Sequence, residues 1–296
     1  MLKWVVRGVL FLIAVVVILA AAGAGFLFYQ SRGALDGNPE YVALGSSFAS
    51  GPGITTRVPG SSYPCGRSVD NYAHQLARKE HLSLVDMTCN GATIKNILRH
   101  GQFFQPKQID AVGPATKLVT VTIGGNDVDY LRNMIALHCS LSPQDVSVWQ
   151  RMSGLCKPVP VSDVNAEFAA LPANMRAVAR EVRQRAPHAR LVFLTYLSVL
   201  PPSGTCARLG LTADQADRMR GVAARLHEIT RAAAKNSGAG FMDASAISAG
   251  HNACAADPWV NGFVFDMSHG KFAYHPNLAG MTAQAEGLDQ LLQSHP

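Results

Sequence analysis

Two short apolar runs, each followed directly by glycine and polar residues, constrain the fold of this chain most strongly. Residues 41–44 are apolar and precede Gly45-Ser46-Ser47, and a run rich in valine and threonine at 119–123 precedes a Gly-Gly-Asn-Asp turn at 124–127. Both runs are typical of buried parallel strands. An open α/β sheet places its ligand crevice at the carboxyl ends of such strands. We therefore expect the two polar clusters to lie close together in space.

The chain from Glu40 onwards alternates between strand and helix patterns, as βαβ units do. Strands are predicted at residues 40–45, 83–88, 117–123 and 190–196, and helices at about 69–80, 163–186, 212–236 and 278–293. Asn277 is the expected cap of the last helix, which places His275 beside a helix start. The long connections are rich in Gly, Pro and Ser, and we expect them to wall a substrate cleft; they span 46–68, 100–116, 139–162 and 244–274.

The N-terminal segment differs from the rest of the chain in being a long apolar stretch. Residues 8–29 contain no charge and are long enough to cross a bilayer as a helix, and Lys3 and Arg7 precede them. The positive-inside rule then keeps the N-terminus in the cytoplasm and exports the rest of the chain. A cleaved signal peptide is the alternative, because Ala20-Ala21-Ala22 offers small residues to a peptidase. We favour an uncleaved anchor because residues 26–29 prolong the apolar stretch.

Residues 1–37 are accordingly predicted to be a signal anchor with a short linker, and residues 38–296 a single exported domain. The net charge of +6 comes from 26 basic and 20 acidic residues, with only a modest basic cluster from Arg176 to Arg190. A nucleic-acid partner would require a basic stripe with interleaved aromatic residues, which the sequence lacks. We therefore predict membrane and substrate as the partners, and no nucleic acid.

Six cysteines in an exported chain indicate disulfides. Six cysteines allow fifteen connectivities, and the simplest one pairs neighbours in order: Cys65 with Cys89, Cys139 with Cys156, and Cys206 with Cys254. A zinc site built on His251 and Cys254 is disfavoured, because no second ligand pair stands at the required spacing.

Three polar blocks together supply the groups that acyl transfer needs. A serine nucleophile requires a base, and the oxyanion that forms on the substrate requires hydrogen-bond donors already in place. Ser47 ends the first strand and can offer both its hydroxyl and its backbone N–H. Gly91 can give a second backbone N–H and Asn126 a side-chain N–H, and His275, in a His-Pro-Asn block, is the expected base.

These four residues resemble, in order, the four blocks of the SGNH hydrolase family, also called the GDSL esterases and lipases. The resemblance covers the chain from about Tyr41 to Leu292. The chain also resembles a secreted bacterial branch of the family with three sequential disulfides, in which a Gly-His-x-x-Cys block, here at 250–254, precedes the final His-Pro-Asn. The resemblance supports the cysteine pairing above. It implies a three-layer α/β/α sandwich with a flavodoxin-like parallel sheet, and catalysis without a metal or organic cofactor.

The chain departs from the family pattern at two positions. Ser46 stands where the first block normally has aspartate, although the register still makes Ser47 the nucleophile. Phe272 stands where the last block usually has an aspartate, three residues before the histidine. In some secreted relatives a backbone carbonyl orients the imidazole, and the resemblance assigns that role to the carbonyl of Phe272. Asp266 is the alternative.

Other polar residues are interpreted as structural or as weaker candidates. His251 and His269 are rival bases, Asp127 and Asp243 are interpreted as structural acids, and Trp259 and Asn261 are expected to line the loop before the last block.

The sequence therefore predicts a membrane-anchored, exported serine esterase or lipase that cleaves acyl esters through an acyl-enzyme on Ser47. If the N-terminal segment is cleaved, the enzyme is secreted instead. Two alternatives remain: an esterase or acyltransferase that acts on envelope glycans, and a non-catalytic envelope protein on a hydrolase scaffold.

Overall fold

A parallel sheet forms the centre of the computed structural model, which describes residues 2–31, 38–152, 154–264 and 272–294. Within those residues the sheet has five strands: β1 Tyr41–Gly45, β2 Leu84–Asp86, β3 Leu118–Thr122, β4 Arg190–Leu194 and β5 Gly240–Met242. Their spatial order is β2-β1-β3-β4-β5, with every neighbouring pair parallel. This is the order of a flavodoxin-like sheet, which the family resemblance implied.

The described helices are α1 Leu2–Ser31, α2 Ser47–Ser50, α3 Tyr72–Lys79, α4 Ile94–Leu98, α5 Tyr130–Leu141, α6 Val148–Met152, α7 Val161–Arg185, α8 Ala213–Ser237, α9 Ala244–Ile247 and α10 Leu278–Ser294. Right-handed crossovers place α4, α7 and α8 on one face of the sheet and α3 on the other. Their contacts agree, since α7 packs against α4 and α8 while α3 packs against α10. The result is the predicted three-layer sandwich.

The two central strands explain why the sequence signal was strong. Every residue of β1 and of β3 is buried, as expected for central strands of a parallel sheet, and β1 accordingly begins with an unbroken apolar run at 41–44. The prediction omitted β5, α5 and the short helices α2, α4, α6 and α9. β5 has only three residues, and α5 begins at Tyr130 directly after Asp129, whose φ of 50° is in the left-handed region. β5 therefore lacks the length on which a periodic signal depends, and α5 lacks a recognisable start signal.

The six cysteines form the predicted disulfides, which are Cys65–Cys89, Cys139–Cys156 and Cys206–Cys254. The first joins the long loop after β1 to the segment after β2, and the third joins the β4–α8 loop to the loop after β5. Because Cys254 is oxidised, it is not free to bind zinc beside His251. The disulfides fasten loops at the carboxyl edge of the sheet, where the polar blocks lie.

The N-terminal helix α1 differs from the other long helices in being largely exposed. By length and composition it could cross a membrane between Lys3 and Gln30. Its apolar side chains point outward all round, as expected for a helix whose surroundings are not the protein interior.

Candidate active site

The polar blocks lie at the carboxyl edge of the sheet, as the strand pattern predicted. Ser47 follows β1 as the first residue of α2, Gly91 follows β2, and Asn126 follows β3. The turn after β1 requires glycine at position 45, because φ there is 150° and a Cβ would lie 2.5 Å from the Thr122 carbonyl oxygen. This close approach brings the serine turn against the end of β3.

The structure places Ser47 and His275 within hydrogen-bond distance. The Ser47 Oγ lies 2.8 Å from Nε2 of His275 although the two residues are 228 positions apart. Nδ1 of the same ring lies 2.7 Å from the carbonyl oxygen of Ala273. A carbonyl can only accept, so this contact assigns the proton to Nδ1 and leaves Nε2 free to accept from the serine hydroxyl.

The orienting carbonyl is that of Ala273, and the expectation that Phe272 would supply it was wrong. The Phe272 carbonyl instead accepts from the His275 backbone N–H at 3.3 Å and from the Asn261 side chain at 3.2 Å. The physical reason lies in Tyr274, whose φ of 62° is strained for a bulky residue. This turn directs the preceding carbonyl toward the imidazole. The alternative acid Asp266 lies outside the described residues.

Hydrogen bonds hold both the backbone and the side chain of Tyr274. Its hydroxyl donates to the Leu209 carbonyl at 2.6 Å, and its backbone N–H donates to the Gly262 carbonyl at 3.1 Å. The side chain is fully buried. These contacts hold a strained turn that would otherwise relax, so they indirectly fix the imidazole next to Ser47.

The protonation state of His275 follows from its surroundings. Desolvation lowers the pKa of His275 to about 4, and the Ala273 carbonyl opposes this effect only in part. The imidazole is therefore neutral at neutral pH, which is the form that can take a proton from serine.

The expected oxyanion donors are held by a second set of contacts. The Asn126 side-chain NH₂ donates one hydrogen bond to the Ala92 carbonyl at 2.9 Å, which joins it to the segment that carries Gly91. An amide NH₂ has two hydrogens, so one remains available to a ligand. Across the described parts of the chain, the backbone N–H groups of Ser47 and Gly91 donate no hydrogen bond.

Asp127 positions the same segment rather than reacting. Both of its carboxylate oxygens accept from the Ile94 backbone N–H, at 3.1 and 3.2 Å, at the start of α4. Burial raises the pKa of Asp127 to about 6. The structural role expected from the sequence agrees with this geometry.

Tyr196 connects the serine turn to the Gly-Gly-Asn turn, and the sequence reasoning missed it. Its hydroxyl accepts from the Gly125 N–H at 2.9 Å and lies 3.2 Å from the Ser46 Oγ. A Cβ on Gly125 would come within 2.7 Å of that hydroxyl, so only glycine permits the contact. Desolvation raises the pKa of Tyr196 to about 12, which keeps the hydroxyl protonated. The available signal was its position at the end of the predicted strand 190–196.

The remaining candidates lie elsewhere in the structure. His251 stacks on Trp259, with ring centroids 3.9 Å apart, and its Nδ1 lies 2.8 Å from the Asp257 carbonyl. Asp243 lies 3.0 Å from Nε2 of His227 and caps α9. Both are therefore engaged in local structure, and His269 lies outside the described residues.

A cavity of 440 Å³ lies near the candidate site, although neither Ser47 nor His275 lines it. Asn90, which precedes Gly91, lines it together with Phe272, whose ring centroid lies 5.9 Å from that of His275. Thr55 and Phe103 line it from two other loops. Three of the four long connections predicted to wall a cleft thus contribute to it.

Comparisons with known proteins agree with this site. The chain matches the model of the GDSL-like Lipase/Acylhydrolase family over residues 43–283. It is 34% identical over 255 residues to Lipase 2 of Streptomyces coelicolor, covering 83% of each protein. It is similar in structure to phospholipase A1 from Streptomyces albidoflavus, with a TM-score of 0.68 and 28% identity over 88% of this chain and 100% of that chain. An extracellular lipase from Streptomyces rimosus gives a TM-score of 0.66 and 26% identity over 86% and 99% of the two chains.

Proposed function

Because this chain belongs to the GDSL-like lipase and acylhydrolase family, we propose that it hydrolyses carboxylic acyl esters with Ser47 as nucleophile and His275 as general base. The observation that carries the proposal is the 2.8 Å contact between the Ser47 Oγ and Nε2 of His275. The neutral imidazole and the Nδ1 contact to Ala273 support it, because together they present an unprotonated nitrogen to the hydroxyl.

The proposed reaction has two halves. His275 takes the proton of Ser47 as its Oγ attacks the ester carbonyl, and the oxyanion accepts hydrogen bonds from the N–H groups of Ser47 and Gly91 and from Asn126. The tetrahedral intermediate then expels the alcohol, which receives the proton from His275. Water, activated by the same imidazole, attacks the acyl-enzyme and releases the carboxylic acid and free Ser47.

The orienting group of this site is a carbonyl rather than a carboxylate, and this affects the energetics. The Ala273 carbonyl fixes the tautomer of His275 but stabilises the imidazolium less than a negative charge would. Preorganised oxyanion donors therefore carry a larger share of the catalysis, at about 3 kcal/mol for each donor.

We further propose that α1 anchors the enzyme in a membrane, with the catalytic domain on the exported side. The uncharged stretch, the preceding Lys3 and Arg7 and the three disulfides support this arrangement. Trp4 and Tyr29 stand near the two ends of the helix, where membrane proteins concentrate such residues. A relative named extracellular lipase is consistent with export.

Acyl lipids are the substrate class that we propose, since the relatives carry the names lipase and phospholipase A1. Activity on envelope glycans has no specific support from the described site. The Ser47–His275 geometry argues against a non-catalytic scaffold.

Hydrolysis of p-nitrophenyl esters of graded chain length by the full-length protein in detergent micelles tests this function. We expect cleavage that is lost in Ser47→Ala and retained in Ser46→Ala, which serves as the matched control one residue away. A fluorophosphonate probe should label the wild type and Ser46→Ala but not Ser47→Ala. Folded, oxidised protein that neither cleaves any ester nor reacts with the probe would refute the proposal.

A further inference from the structure

The last turn of α1 contacts the catalytic domain at two places. The Gln30 side-chain oxygen accepts from the Tyr63 backbone N–H at 2.9 Å. The Phe28 ring meets the Phe104 ring edge-on, with centroids 6.3 Å apart. Tyr63 belongs to the loop after β1 and Phe104 to the loop after α4, so the end of α1 lies beside two loops at the carboxyl edge of the sheet.

Three aromatic side chains are exposed at this junction. Tyr63, Phe103 and Phe104, here named the aromatic face, have exposed fractions of 67%, 41% and 56%. Phe103 and Phe104 also have φ values of 51° and 62°, a conformation that is rare and strained for bulky residues. The positive φ and the exposed apolar ring each lower the stability of the fold, and both Phe103 and Phe104 have both features. Such a feature is expected where function requires it.

The contact with α1 defines the depth of the aromatic face relative to a membrane. Trp4 and Tyr29 are 25 residues apart, which corresponds to about 38 Å along a helix and matches the distance between the two interfacial regions of a bilayer. Phe28 adjoins Tyr29 and therefore lies at the outer interface. Phe104 touches Phe28, so it lies at that same level, where aromatic rings are most favourable.

The charge around the aromatic face suits an anionic lipid surface. Residues 41–69 and 87–109, which supply its loops, contain no aspartate or glutamate. They do contain Arg57 in the first stretch and the exposed Arg99 in the second. The other basic residues of these stretches contribute less, because Arg67 is buried and Lys95 and Lys107 are paired with Glu167 and Asp110. The Arg57 guanidinium lies 5.1 Å from the centre of the Tyr63 ring. Basic groups beside exposed aromatic rings add electrostatic attraction to apolar insertion.

The aromatic face is continuous with the cavity beside the candidate active site. Tyr63 and Phe103 line the 440 Å³ cavity at one side, and Asn90 and Phe272 line it next to Gly91 and His275. A lipid that enters the cavity past the aromatic rings would therefore reach Asn90, next to Gly91, and Phe272, whose ring centroid lies 5.9 Å from that of His275.

We propose that the aromatic face docks on the outer leaflet of the membrane that holds α1, and that the cavity receives acyl esters of lipids from that leaflet. This inference rests on the proposed function, because it takes α1 as an anchor and Ser47 as an esterase nucleophile. The partner is a lipid surface, and the substrate class is an ester lipid resident in it rather than a soluble ester.

A depth measurement tests the docking independently of catalysis. All six cysteines are in disulfides, so Phe104→Cys adds a single thiol that can carry an NBD fluorophore. The full-length protein is reconstituted into phosphatidylcholine–phosphatidylglycerol vesicles with nitroxide lipids. We expect blue-shifted, quenched emission from position 104. The control is Gln184→Cys, exposed near the end of α7 at the opposite edge of the sheet, which should remain unquenched. Equal, unquenched emission at both positions would overturn the proposal.

A kinetic measurement tests the supply of substrate from the leaflet. Phe104→Asp removes one ring, and aspartate tolerates a positive φ, so the fold is not threatened. Ile247→Asp is the matched control, since Ile247 is 42% exposed but follows β5 at the other end of the sheet. The ratio of vesicle-lipid to soluble p-nitrophenyl butyrate hydrolysis should fall about tenfold in Phe104→Asp and stay within about twofold in Ile247→Asp.

A failure of the proposed esterase function and a failure of the proposed lipid supply give different results. Wild-type protein that cleaves neither ester would refute the esterase function, while the quenching result would still decide the docking. Wild-type protein that cleaves the soluble ester, with an equal ratio in both aspartate variants, would refute the supply from the leaflet and leave the esterase function intact.

Discussion

His275 and His227 provide a comparison within one molecule. Nε2 of His227 lies 3.0 Å from the Asp243 carboxylate, the pairing usually associated with a hydrolase base, and its Nδ1 lies 3.3 Å from the Glu228 carboxylate. His275 has only the Ala273 carbonyl, yet its other nitrogen lies 2.8 Å from the Ser47 hydroxyl. A carboxylate partner therefore does not identify the proposed base in this chain. The contact with a hydroxyl and the desolvation of the ring distinguish it.

The largest expected effect separates the two histidines directly. His275→Ala should lower kcat/KM for p-nitrophenyl butyrate by about 10³–10⁴-fold, because it removes the proposed base. His227→Ala should leave kcat/KM within about threefold, since the hydrogen-bond partners described for His227 are the carboxylates of Glu228 and Asp243 and not Ser47. A comparable loss in both variants would remove the distinction between the two sites.

Asn126→Ala should give the next largest effect. It removes a proposed oxyanion donor together with the hydrogen bond to the Ala92 carbonyl, and we expect kcat to fall about 10²–10³-fold with little change in KM. Asn261→Ala is a useful control, because it loses a side-chain hydrogen bond to the Phe272 carbonyl without losing an oxyanion donor. Steady-state kinetics on one soluble ester would compare them. A rise in KM alone would indicate a binding role for Asn126.

The pH dependence of activity tests the effect of burial on the pKa of His275. With the pKa of His275 lowered to about 4, the base stays unprotonated at pH 5, so activity there should exceed by about 30-fold that of a base with an ordinary pKa of 6.5. The same shift makes the unfolded chain bind the proton first, so stability is lost as pH falls from about 6.5 to 4. A kcat/KM profile on folded protein would check this, and an acidic limb near pH 6.5 would contradict it.

Tyr196→Phe should have the smallest effect of the four. Loss of the hydroxyl leaves the Gly125 N–H without its acceptor and separates the two turns, so kcat should fall about tenfold while KM changes little. Tyr41→Phe is the matched control, because its hydroxyl pairs with Thr120 inside the sheet, away from the turns. Both variants should lose a similar amount of stability in urea. A loss of stability without a selective loss of kcat in Tyr196→Phe would show that the residue is structural only.

Most of the fold could be predicted from local pattern. The strands β1 and β3 are buried along their whole length, and the long helices α7, α8 and α10 show regular apolar spacing, so their ends fall within a few residues of the predicted ones. β5 has three residues, too few for a periodic signal. It is recognised as a strand through its parallel pairing with β4. The division of the chain at residue 37 stays a prediction.

What the sequence by itself determined is the order and spacing of the chemistry: a serine after one strand, glycine and asparagine turns after two others, and a histidine before the last helix. These signals are local, because each depends on a short stretch of residues. The tertiary structure decided the rest. Ala273 rather than Phe272 orients His275 because Tyr274 is held in a strained turn, and Tyr196 joins two turns because Gly125 lets its hydroxyl approach. Both contacts depend on packing between segments far apart in the chain, which residue pattern does not encode.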